Sequence, residues 1–128
     1  MIRIATTSFT LLALTGICLA QQPAFKRTEV QRGDLTVGGR EAVQAIAEIP
    51  AGVQSGRHTH PGEEVGYVLE GPVVVEIDGK PARTLKTGEG FIIPANIVHN
   101  ARNTGSGTAK VLATYIVEKG KPVATPVQ

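Results

Sequence analysis

The chain of 128 residues has no tryptophan, five aromatic residues in all, and a single cysteine. It is also poor in net charge: 13 Lys and Arg stand against 11 Asp and Glu, a balance of +2, scattered along the chain rather than gathered into a run. Each shortage excludes something. One cysteine cannot close a disulfide within the chain, so this is not a cross-linked small scaffold. Without a basic cluster there is no electrostatic footprint for nucleic acid or for an anionic membrane surface. The length allows one domain, which excludes large multidomain enzymes, and no sustained heptad pattern supports a coiled coil. What is abundant is 15 Gly and 8 Pro beside many Val, Ile and Thr, the composition of short strands joined by tight turns.

The first twenty residues read as an address rather than a fold. Met1, Ile2 and Arg3 make a short basic start, and Phe9 to Ala20 is apolar or small apart from Thr10 and Thr15. A bilayer span needs about 20 apolar residues, and polar Gln21 and Gln22 end this run much sooner, so residues 1–20 are a secretory signal peptide cleaved after Ala20. Lipidation of Cys18 is disfavoured by Ile17 directly before it. Cleavage removes the only cysteine and lowers the net charge to +1. The mature protein is expected in the periplasm or secreted, without thiol chemistry and without a membrane anchor.

Residues 21–40 are polar with scattered apolar side chains, a loose lead-in or an edge strand. From 41 to 49, Val43, Ala45, Ala47 and Ile49 alternate with Ala42, Gln44, Ile46 and Glu48, the period of a strand. Further strands are predicted at 53–59, 65–69, 73–77, 83–86, 90–93, 97–101 and 110–117, with turn signals between them, Asp78-Gly79 the sharpest. Residues 118–128, holding Pro122 and Pro126, look irregular. About eight short strands and no convincing helix mean an all-β sandwich or barrel. Segments 64–70 and 111–117 are apolar on both faces, so the outer face needs a cover: a second copy of the chain, making a homodimer, or a further layer from the same chain.

The three histidines fall in two short segments, His58-Thr59-His60 with Glu64 close behind, and His99. Residues two apart on a strand share a face, so His58 and His60 present their imidazoles together. A lone His-x-His is more often a solvated surface pair than a metal site. Here the surrounding spacing is much longer. Gly52, five residues, His58-Thr59-His60, three residues, Glu64, six residues and Gly71 form one block. Gly88, five residues, Pro94, then Asn96, His99 and Asn103 form another.

These two blocks resemble the paired signatures of the cupin superfamily, with one departure: Asn96 stands where the second signature usually has glycine. The resemblance spans residues 41–117. It implies a double-stranded β-helix, the jelly-roll barrel of that family, with one divalent transition-metal ion bound by His58, His60, Glu64 and His99. Three imidazoles and a carboxylate suit Fe, Mn, Co, Ni, Cu or Zn and suit Ca or Mg poorly. Asparagine is the non-glycine residue that best tolerates a left-handed turn, so Asn96 bears on the turn and not on the ion.

Around the ion, alternation makes Gln54, Val68, Phe91, Ile93 and Ile97 cavity-lining candidates, and Gly56 with them. Arg57 and Arg102 should point away as surface charges, as should Glu63. Asn103 reads as a cap for the loop before Gly105, and Tyr67 and Tyr115 as packing. The function that the resemblance implies is dioxygenase-like chemistry on a small molecule, Glu64 being a ligand that can also act as a base. The alternatives are a cupin isomerase or lyase, and a non-catalytic periplasmic protein that binds a metal or small ligand.

Overall fold

The computed structural model describes residue 21 and residues 23–128. The proposed signal peptide lies outside the described residues. The strands are β1 (Lys26–Asp34), β2 (Arg40–Ile49), β3 (His58–Thr59), β4 (Gly62–Glu70), β5 (Val73–Ile77), β6 (Arg83–Leu85), β7 (Gly90–Ile93), β8 (His99–Arg102), β9 (Ala109–Glu118) and β10 (Thr125–Pro126). They form two five-stranded sheets, β1-β2-β9-β4-β7 and β10-β3-β8-β5-β6, and every pairing is antiparallel. The fold is an all-β double-stranded β-helix. Among the described residues no helix is long and apolar enough to cross a membrane.

Period-two patterning decides which way each strand faces. In β2 and β9 burial alternates residue by residue, with Val43, Ala45, Ala47 and Ile49 inward on one and Val111, Ala113, Tyr115 and Val117 inward on the other. In β4 the inward residues are Gly62, Glu64, Gly66 and Val68, while Val65, Tyr67 and Leu69 face outward. Gly66 matters for close approach: a Cβ there would overlap the tip of the Phe91 ring. The main core gathers Ile49, Val68, Val73, Val75, Leu85, Phe91 and Ile93 between the sheets, and a smaller cluster gathers Val43, Ala45, Ala113, Tyr115 and Val117.

Several sequence expectations need correction. The strand at 53–59 shrinks to His58–Thr59, with only an isolated bridge from Gln54 to Arg102 before it. Gly56 at φ 82° breaks the alternation between them. The strand at 97–101 begins at His99, because Pro94 to Ile97 is a turn with Asn96 at φ 60°. The segment 118–128 is not wholly irregular: Thr125–Pro126 pairs with β3, and Val127 donates its N–H to the Arg57 carbonyl. Between 21 and 40, strand β1 forms the edge of the first sheet, in register with β2 apart from one bulge between Glu29 and Gln31.

Candidate metal centre

His58 and His99 are register partners across β3 and β8, so the two signature blocks meet through a single strand pairing. His60 follows β3 on the same side, and the Asn96 N–H donates to the His60 carbonyl at 2.9 Å, tying the second block's turn to the first block. Glu64 arrives from the inward face of β4. All four side chains are buried. The imidazole centroids lie 4.3, 4.8 and 4.9 Å apart, and one nitrogen from each ring lies within 4.8 Å of the others.

Backbone carbonyls orient the rings. Nδ1 of His58 donates to the Gly56 carbonyl at 2.7 Å, Nδ1 of His99 to that of Ile97 at 2.9 Å, and Nδ1 of His60 to that of Val123. A carbonyl can only accept, so each ring carries its proton on Nδ1 and turns Nε2 inward as a lone pair. This is the outer-shell arrangement that metal-ligating histidines use. Glu64 Oε2 then stands 3.0 Å from Nε2 of His60 and 3.2 Å from Nε2 of His99. Neutral imidazoles in that tautomer have no proton to offer the carboxylate, and Nε2 of His99 is a buried atom without a hydrogen-bond partner. A cation resolves the conflict. Two ligand atoms each about 2.1 Å from one ion lie about 3.0–3.4 Å apart for octahedral to tetrahedral angles, close to the two Glu64–imidazole separations. The residues present therefore fit a divalent transition metal.

The electrostatics agree with that reading. Burial, helped by the neighbouring imidazoles and Arg27, pushes His58 down to about 4, against a weaker opposing effect of the Gly56 carbonyl, so the ring is neutral at pH 7. Burial alone would raise Glu64; its carboxyl is held down at about 2 only where positive charge faces it from the side of His60 and His99, and with both rings neutral that charge is the ion's to supply.

Beside these groups is a partly open space of about 30 Å³, room for one or two water-sized ligands, lined among others by His58, Glu64, His99, Phe91, Ile49 and Tyr115. A larger recess of about 260 Å³ adjoins it, sharing Phe25, Arg27, Ser55 and His58. Of the residues predicted to line the cavity, Phe91 does. Val68 and Ile93 are buried in the apolar core instead. Gln54 faces outward and accepts from Asn100 Nδ2 at 2.9 Å, because the turn at Gly56 reverses its side and puts Ser55 inward. Ile97 lies in the turn before β8 and is 37% exposed.

Reading Tyr115 as packing alone also falls short. It is register partner to Glu64, its ring lies 4.6 Å from that of His60, and its hydroxyl accepts from Arg27 Nε at 3.0 Å. Burial and the Glu64 charge raise the phenol to about 12 against the opposing pull of Arg27, so it stays protonated. Tyr67, read as packing, is half exposed. Phe25, Arg27 and Ser55 were not singled out either. Alternation from Glu64 across β9 was the available signal for Tyr115; none pointed to Arg27. The outward roles of Arg57 and Arg102 agree with the structure, where they pair with Asp78 and Glu76. Asn103 bonds the Ile49 and Gly107 carbonyls and accepts from Gly105 N–H, the loop cap its position suggested.

Comparison with known proteins places these features in a family. Residues 45–115, more than half of the chain, match the model of the cupin domain, and the chain belongs to that family. It is 35% identical over 78 residues to protein SchB of Streptomyces halstedii, covering 60% of this chain and 56% of that protein. The chain spans about half the length of the curated relatives it matches. A protein with a double-stranded β-helix domain from Klebsiella pneumoniae superposes with a TM-score of 0.68 at 16% identity, covering 85% of this chain and 89% of that one. The DMSP lyase DddQ of Ruegeria pomeroyi superposes with a TM-score of 0.61 at 23% identity, covering 67% and 43%. Both structural likenesses bear on the fold.

Proposed function

We propose that this cupin is an exported metalloenzyme acting on a small organic molecule, of dioxygenase-like type, with the ion held by His58, His60, His99 and Glu64. The observation that carries it is the convergence of inward-turned Nε2 atoms on a carboxylate with no proton to share, beside a space open to an outer recess. A bound divalent transition metal supplies Lewis-acid and redox chemistry. The chain's own residues do the rest. Ile49, Phe91 and Val111 keep bulk water from the reacting end of a substrate. The Tyr115 hydroxyl accepts from Arg27 and so has its own proton free to donate to a substrate oxygen. Glu64, ionised at pH 7, is the one carboxylate in the cavity and the available base.

The test is elemental analysis of protein purified from its native compartment, followed by O2 uptake with catechols, flavonols and diketones. Iron with substrate-dependent uptake is the expected result; zinc or no metal, with no uptake, overturns it. The small inner volume favours one second reading, a non-catalytic carrier or sensor, and tight metal retention without turnover would support that one. Export and self-association complete the proposal. Val65, Tyr67, Leu69 and Ile92 expose an apolar strip on the outer face of the first sheet, fit for a second copy of the chain; light scattering in solution should give twice the mass of one chain, and the mass of a single chain would overturn it.

A further inference from the structure

The outer recess holds two guanidinium groups in different states. Arg57 is committed: Nη1 and Nη2 donate to both Asp78 oxygens at 3.1 and 2.8 Å. Arg27 is not. Its Nε donates to Tyr115, and among the described residues its two terminal nitrogens have no hydrogen-bond or ion-pair partner. The group is nonetheless held in place. Its Cζ lies 5.3 Å from the Phe25 ring centroid and 5.5 Å from that of Tyr115, so two aromatic faces and one hydrogen bond fix the fork. It borders both the recess and the inner space, and no carboxylate lines the recess.

We infer that Arg27, delivered by the edge strand β1, is the specificity-determining anchor for a substrate carrying one carboxylate, with the rest of the molecule directed toward His58. A planar fork with two free N–H edges matches a carboxylate in geometry. One unneutralised guanidinium matches one negative charge, which favours a carboxylate over a phosphate dianion. The apolar walls around it require a short hydrocarbon body, and Tyr115 links the anchor to the centre, its ring against His60 and its hydroxyl on Arg27. The inference rests on the proposed metalloenzyme reading and names its substrate class.

The experiment uses the zinc-loaded full-length mature protein, titrated by NMR with butyrate and with its neutral isostere butyramide, metal content being measured in the same samples. Butyrate is expected to bind more tightly than butyramide and to shift the amides of residues 25–27 and 55–58. Arg27→Gln should weaken butyrate binding about tenfold or more and leave butyramide unchanged. Arg27→Lys, which keeps the charge and loses the fork, should fall between, and Arg57→Gln should leave both ligands as in wild type. Equal affinity for the two probes, no butyrate binding, or an Arg27→Gln variant that binds butyrate as wild type does overturns the inference. The two readings fail separately: a chain that takes up no zinc refutes the metal centre while butyrate and Arg27 can still be titrated, and a fully loaded Arg27→Gln variant that binds butyrate normally refutes only the anchor.

Discussion

Two stretches of the same β4–β9 ladder behave as different materials. At Val68, partnered by Val111, the interior is hydrocarbon, continuous with Val73, Leu85 and Ile93. Four residues earlier, Glu64 faces Tyr115, and the interior holds a carboxylate, three imidazoles and a phenol. Both stretches are buried and the backbone pairing is the same. The difference lies in what burial does to each. Removing the apolar groups from water contributes roughly 25 cal/mol per Å² and holds the barrel together. Removing an ionised carboxylate from water costs several kcal/mol unless something of opposite charge meets it. The apolar stretch thus carries the stability that the polar stretch draws on, and a bound cation is what would turn that polar stretch from a cost into a contribution.

Perturbing one stretch at a time sharpens the contrast. The largest effect should come from His60→Ala, which is expected to abolish stoichiometric metal binding by elemental analysis. It should also erase the melting-temperature difference between metal-loaded and chelator-treated protein, a difference worth about 4 kcal/mol when free metal exceeds Kd a thousandfold. Unchanged metal content would mean that the ligand set is wrong. In the apolar stretch, Leu85→Ala should cost about 2–5 kcal/mol in denaturant unfolding while leaving metal content intact. Loss of metal there would show that the two stretches are not separable.

Acid should act on the polar stretch alone. Below pH 6.5 the unfolded chain protonates His58, whereas the folded metal-free protein does not until about pH 4. The unfolded state therefore binds more protons as pH falls, and stability drops across that window by roughly 2–3 kcal/mol, with nothing lost above it. Denaturant titrations of metal-free protein at stepped pH check this, and a flat profile from 6.5 to 4 would break the argument for His58. The smallest effect belongs outside both stretches: Arg57→Ala removes an exposed pair with Asp78 and should cost under about 1 kcal/mol by the same unfolding measurement.

Much of this was legible before any coordinates. The strands at 73–77 and 90–93 were read with the bounds they have, since turn residues stand close on both sides of each, Pro72 and Asp78-Gly79 about the first and Gly88 and Pro94 about the second. The segment 53–59 misled because its alternation is interrupted by a positive φ at Gly56, which composition cannot distinguish from an ordinary strand glycine. Gln54 was consequently assigned to the wrong side and Ser55 overlooked. The tail from 118 onward seemed incidental, yet the Val123 carbonyl orients His60, a contact between residues 63 apart in sequence.

Local spacing by itself determined the all-β class and the shared face of His58 and His60, and the resemblance carried by the two spaced blocks named the four residues that would hold an ion. A strand's two-residue period is a property of the backbone, readable wherever turn residues mark the ends. Tertiary structure alone decided what surrounds those residues. Arg27 and Tyr115 are 88 positions apart and come together because β1 pairs with β2 and β2 with β9, a juxtaposition set by sheet order. Pairing partners across a sheet are chosen by the packing of the whole core, so no short window of sequence around residue 27 contains the information that it stands at the mouth of the site.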